Sequence, residues 1–190
     1  MENSKKNVYK MSLCAVFVAL ASVLSLVKIY KLALGGSVTL LSMLPIIMLG
    51  VFLDMRWAFA ASFLYSLIQL GFGIVLDGVL GWGLTPLSLV GTIFLDYIIP
   101  FTLLALGGVF RNKGVKGIIA GTVLVMVLRF ICHFISGIII FDIWCEWDSV
   151  WIYSLCYNGS FMLPELIITS VAAGVIFSLP SVEKLKNKIV

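Results

Sequence analysis

The stretch RFICHFISG, residues 129–137, puts an arginine and the chain's single histidine, Arg129 and His133, four positions apart inside a long apolar run. On a helix that spacing places both side chains on one face, one turn apart. Two acids share the same setting: Asp96 in FLDYIIP and Glu165 in MLPELII. A charge at the centre of a membrane-spanning helix costs about 2.5–3.5 kcal/mol, so three together cost roughly 8–10 kcal/mol unless they pair or meet water. Two arrangements answer that cost. Arg129 can bridge Asp96 or Glu165 as an ion pair between helices, or the groups can line a polar cavity that opens at the outer surface and holds a polar ligand. The two overlap, because a site can be built from groups that also pair. A proton relay through Asp96, Glu165 and His133, in a self-sufficient ion-coupled transporter, is the competing use of the same residues.

The neighbouring residues favour the cavity. Tyr97 follows Asp96, and Gly137 lies one turn beyond His133, where a glycine lets another group approach the backbone closely. The acidic segment DIWCEWDS is crowded with rings: Phe141, Trp144, Trp147, Trp151 and Tyr153. Membrane interfaces enrich tryptophan and tyrosine, and such a cluster beside acids also suits stacking on a flat cation. In YSLCYNG, Tyr153 offers a phenol and Asn158 an amide with both donors and an acceptor, able to read the edge of a heterocycle. Asn158 can equally serve as a hydrogen bond between helices. No GxxxxGK[ST], HExxH, GxSxG or metal-spaced Cys/His set occurs, so no enzyme, cofactor or metal is expected. The four cysteines, Cys14, Cys132, Cys145 and Cys156, read as isolated thiols, with a Cys145–Cys156 bridge as the alternative.

The elements that must position these groups follow from composition. Of 190 residues, 62% are hydrophobic and 12% charged, with a mean hydropathy of +1.16. Soluble domains carry about 25% charged residues, so the chain is predicted to be an integral membrane protein, one membrane domain over 1–190. A spanning helix needs about 20 apolar residues. Six segments fit, at roughly 10–29, 38–54, 57–77, 87–110, 117–141 and 150–179. The second is short and contains Pro45, which suggests a broken, tilted or re-entrant segment. The N-terminal apolar run is too long for a signal peptide and is read as the first span.

The expected architecture is therefore an all-α six-transmembrane-helix bundle. Lys5, Lys6, Lys10, Arg56, Arg111, Lys113, Lys116, Lys184, Lys186 and Lys188 then share one face, against Lys28 and Lys31 on the other. By the positive-inside rule both termini are cytoplasmic. The net charge of +4 reflects this topology and contact with the lipid bilayer rather than nucleic-acid binding. In the first span Ala15, Ala19 and Ser22 make a flat, small face. It serves either packing within the bundle or docking to a second membrane protein.

Taken together, MENSKKNV, MLPI, FLDYIIP, HFISGII and YSLCYNG resemble the thiamine-specific S component of the energy-coupling-factor vitamin transporters of Gram-positive bacteria. The resemblance covers nearly the whole chain. It implies a multi-pass subunit of the cell membrane that captures thiamine near the outer surface with high affinity. That subunit then docks on an energising module of one transmembrane protein and two ATPases. The docking motif corresponds to Ala15 and Ala19. The binding residues correspond to Asp96, Tyr97, His133, Gly137, Tyr153 and Asn158, with Phe141 where the family has a tryptophan. The family's loop tryptophan corresponds to Trp144 or Trp147. The first outer loop, KIYKLALGGSVTL, lacks the tryptophan that the family carries there, and Asp96 stands for a glutamate. These departures leave room for a thiamine precursor or analogue as ligand. Arg129 stands for a lysine and is read as holding Asp96 or Glu165 in place; Glu165 itself has no counterpart.

Overall fold

The computed structural model describes the backbone of residues 2–189, with side chains from 4 to 186. Helix α1 (Glu2–Leu26) leads into a two-stranded antiparallel hairpin, β1 (Lys28–Lys31) and β2 (Ser37–Thr39). Helices α2 (Leu44–Phe52) and α3 (Met55–Leu76) follow. A continuous helical run from Pro86 to Gly108 comes next, made of α4 (Pro86–Thr92), a π-helical segment (Ile93–Ile98), α5 (Ile99–Thr102) and a 3-10 stretch (Leu103–Gly108). The chain closes with α6 (Gly114–Ile139), α7 (Val150–Phe177) and the short α8 (Pro180–Ile189).

Five helical segments are long and apolar enough to cross a membrane: Ser4–Leu26, Met55–Leu76, Pro86–Gly108, Arg111–Ile139 and Val150–Phe177. They match five of the six expected spans. The segment expected at 38–54 is corrected. Its helix has only nine residues, roughly 14 Å at 1.5 Å per residue, against a hydrocarbon core of about 30 Å. The chain nevertheless runs the length of the bundle there. Lys10 Nζ meets the Asp54 carboxylate at 2.5 Å at one end, while Lys28 and Lys31 both meet Asp77 at 2.9 Å at the other. Residues 27–53 connect those ends first as hairpin, then through a turn at Leu41 with φ of 58°, then as α2. The hairpin also qualifies the all-α expectation.

Helix α2 is hydrophobic on every side, and all its residues except Met48 are buried, as suits a helix enclosed by others. Glycines let its neighbours close in. A side chain at Gly108 would run into the Gly50 carbonyl, and one at Gly121 into the Gly107 carbonyl. The α2 carbonyls left over at its C-terminal end accept from Arg111 Nη1: Gly50 and Val51 at 3.3 Å, and Leu53. Lys186 donates to the Arg111 carbonyl at 2.8 Å, tying α8 to the same place. Asp54 caps α3 by accepting from the Trp57 N–H, and the hydrogen bond from Lys10 holds its carboxyl below the usual 3.8. The structure thus gathers Lys10, Arg111 and Lys186 at one end.

Candidate functional site

Pro100 has no N–H to give the carbonyl one turn earlier, that of Asp96, and the helix widens into the π segment there. Asp96 and Tyr97 sit in that widened turn and face α3 and α6. Both line a cavity of about 120 Å³ enclosed by the hairpin, α3, the π segment, α6 and α7. Helix α6 adds Arg129, His133 and Gly137, the following turn adds Phe141, and α7 adds Tyr153 and Asn158. Residues up to 62 positions apart in the chain therefore share one chamber.

Polar contacts organise this wall. His133 Nδ1 lies 2.8 Å from Asp96 Oδ1, and Ser136 Oγ donates to Asp96 Oδ2 at 2.5 Å. With a carboxylate as partner, Nδ1 carries the proton of the neutral imidazole and Nε2 keeps a lone pair. Nε2 has no hydrogen-bond partner. Asn158 Nδ2 donates to the carbonyls of His133 and Ser154 at 3.2 and 3.0 Å. Gly137 allows α7 to come close, since a side chain there would meet Ser154 and the Asn158 amide.

Glu165 and Arg129 take other roles. Glu165 is fully buried and accepts from the Thr39 N–H at 3.2 Å and the Thr39 hydroxyl at 2.5 Å. Its carboxylate anchors the hairpin to α7. Among the described residues no ion pair joins Arg129 to Asp96 or Glu165, contrary to the expectation from sequence. Its guanidinium lies over the Phe101 ring at 4.6 Å, and Nη1 reaches the Met43 sulfur at 2.7 Å. The carboxylates are instead served by short-range donors, Ser136 and Thr39.

The aromatic groups form two files. One runs Trp82, Phe141, Trp144, with centroids 5.9 and 5.5 Å apart. The other runs Trp147, Tyr153, Tyr157, Phe161, at 5.8 to 6.0 Å, and ends on His133 at 6.1 Å. Trp144 lies behind Phe141 rather than on the cavity wall, and Trp147 is 51% exposed outside it. The wall includes a tryptophan that sequence reasoning passed over as loop: Trp82, whose Nε1 donates to the Asp77 carbonyl at 3.0 Å. Tyr157 and Phe161 were also missed. Their signal was the four-residue spacing from Tyr153, which puts all three on one face of α7. At the mouth, Tyr157 donates to the Ala33 carbonyl, and Phe161 packs on Gly36. On α1, Ala15 and Ala19 are exposed and take no part in the bundle interior. The four cysteines are free thiols.

Comparisons with known proteins point one way. The family model described as thiamine transporter protein matches residues 11–185. The thiamine transporter ThiT of Bacillus subtilis is 26% identical, with 92% of this chain and 93% of that protein aligned. The thiamine transporter ThiT of Lacticaseibacillus paracasei is 29% identical over 72% and 71% of the two chains. Among solved structures, ThiT from Listeria monocytogenes superposes with a TM-score of 0.74 over 95% of this chain and 98% of that one. At 19% identity that likeness is one of fold.

Proposed function

The chain belongs to the thiamine transporter protein family, and on that premise we propose that its cavity is the thiamine-binding site of a membrane transport subunit. The activity is transport, not catalysis. One observation carries the assignment of the site: a carboxylate, an imidazole and an amide converge with aromatic rings on one enclosed chamber between spans. Thiamine joins an aminopyrimidine to a cationic thiazolium. Asp96, held by His133 and Ser136, opposes the cation in a setting where a charge pair is stronger than in water. His133 Nε2 accepts from the amino group, and Asn158 lies beside it. Phe141, Trp82, Tyr97 and Tyr153 supply flat walls, with Trp144 backing Phe141 and Gly137 giving α7 its close approach.

The wider arrangement belongs to the same proposal. The cationic end, with Lys10, Arg111 and Lys186, faces the cytoplasm with both termini, as the positive-inside rule requires. The strand-turn-helix segment 27–53 makes a sixth crossing. The cavity mouth under the hairpin then faces outward, in the cell membrane of a Gram-positive bacterium. Binding by itself accumulates nothing, so ATP-driven partners are needed: an energising module of one transmembrane protein and two ATPases. The exposed Ala15 and Ala19 face of α1 supports docking there.

The test is a tryptophan-fluorescence titration of the purified protein with thiamine, for which Trp82 is the reporter on the wall. Saturable quenching is expected at or below micromolar ligand, and its absence would sink the assignment. Uptake into liposomes that requires added ATPase partners separates this reading from a proton-coupled transporter, which would work alone on a pH gradient.

A further inference from the structure

A second hollow lies on the outer surface of the bundle, at the end opposite the cavity mouth. Helices α6 and α7 part there to leave a groove of about 400 Å³, between Val115 and Ile119 of α6 and positions 170–178 of α7. Gly174 keeps it open, since a side chain at that position would press on the Ile119 Cδ1 methyl at 3.1 Å. The wall is apolar to the touch. Val171 and Val175 are 62% and 60% exposed, the Ser178 hydroxyl turns back to donate to the Gly174 carbonyl at 2.6 Å, and the Ser170 hydroxyl oxygen is buried. From position 170 to 178 the helix rises about 12 Å, close to the roughly 15 Å of hydrocarbon in one leaflet. The groove therefore has the depth and the chemistry of an acyl chain lying along a helix.

Its open end is cationic. Along 111–119 and 178–186 the sequence has five cations, Arg111, Lys113, Lys116, Lys184 and Lys186, against the single acid Glu183. Three of the five are engaged inside the protein. Arg111 serves the α2 carbonyls, Lys186 the Arg111 carbonyl, and Lys113 lies over the Phe110 ring at 5.5 Å. Lys116 follows Val115 at the groove, and Lys184 sits on α8 just beyond Ser178. Both are exposed, and neither forms an ion pair among the described residues. We propose that the groove binds one anionic phospholipid, its acyl chain along α7 and its phosphate-bearing headgroup against Lys116. A zwitterionic lipid would fill the apolar part equally well, so the headgroup charge is what this site selects, as basic pockets between membrane helices do. The proposal stands apart from the thiamine reading, because the groove shares no residue with the cavity.

Native mass spectrometry of the full chain in detergent tests it, with phosphatidylglycerol or phosphatidylcholine of matched chain length added. Wild type should retain one phosphatidylglycerol in preference to phosphatidylcholine. Lys116→Gln should weaken phosphatidylglycerol about fivefold, the effect of one lysine beside an anionic headgroup, and leave phosphatidylcholine unchanged. Val175→Trp fills the groove from its exposed side and should remove the retained lipid. Both positions are exposed, so both variants should melt at the wild-type temperature before lipid is added. Equal retention of the two lipids by wild type overturns the proposal, and this arm decides the matter even should a variant not fold. Phosphatidylglycerol retention unchanged in either variant overturns it as well, since the lipid then sits elsewhere. Val175→Trp that keeps the lipid but loses ATP-driven uptake would give the groove to a protein partner instead. None of the lipid measurements needs thiamine, so failure of this proposal and failure of the thiamine reading are told apart.

Discussion

Asp96 is the residue on which the site's charge turns, and both its oxygens are already engaged, by His133 at 2.8 Å and Ser136 at 2.5 Å. Those contacts fix the carboxylate and, through the tautomer they impose, leave His133 Nε2 as a buried acceptor without a partner in the ligand-free protein. Asp96→Asn would remove the negative charge and set an amide N–H against one of two donors, so His133 would reverse its tautomer or Ser136 would turn away. Thiamine affinity should fall by about 10- to 100-fold, since hydrogen bonds to charged groups are worth about 1.5–3 kcal/mol. Calorimetric titration of the variant checks this; an unchanged dissociation constant would remove Asp96 from the site.

Helix α7 works as an element through a single face. Tyr157, Phe161 and Glu165 recur every four residues and hold the loop and strand 33–39 at three points: the Ala33 carbonyl, Gly36 and Thr39. The innermost point is the strongest, because a fully buried carboxylate meets both a backbone N–H and a hydroxyl. Glu165→Leu would leave the Thr39 N–H without its acceptor in a dry interior, the Thr39 hydroxyl keeping Ser42 Oγ at 2.6 Å, and should cost about 1–3 kcal/mol of stability. Thr39→Val removes only the hydroxyl and should cost less, and the double variant should fall short of the sum. Thermal unfolding of the ligand-free protein measures all three. Strict additivity would show that Glu165 and Thr39 do not act as one anchor.

For the whole molecule, the function proposed above assigns the charge distribution and the outward alanine face on α1 to the transport step rather than to capture. If Ala15 and Ala19 are where the energising module docks, Ala15→Trp with Ala19→Trp should abolish ATP-driven thiamine uptake in reconstituted liposomes. The same double variant should bind thiamine like wild type, because neither residue approaches the cavity. Uptake at the wild-type rate would assign docking to another surface.

Composition and apolar run length alone were sufficient to mark a membrane bundle, and they located the five long spans to within six residues at either end, because insertion cost and helix rise are local properties. The same local physics exposed Asp96, Arg129, His133 and Glu165 as expensive groups needing partners. Which partners they take was a matter for the tertiary structure. Periodicity put Arg129 and His133 on one face, but the rotation of α6 against the π turn gave Asp96 to His133 and Ser136 and left Arg129 without a carboxylate. Thr39 is 126 positions from Glu165, and Trp82 lies in a loop with no period to read. Hydrogen bonds are settled over tenths of an ångström, whereas a pattern of residue types resolves only a helix face. The second segment was legible as short and broken at Pro45, but not as a hairpin joined to a nine-residue helix. Its apolar content was right for the membrane, but a hairpin anchored by Glu165 and a helix enclosed by glycines let extended chain stand where helix was expected.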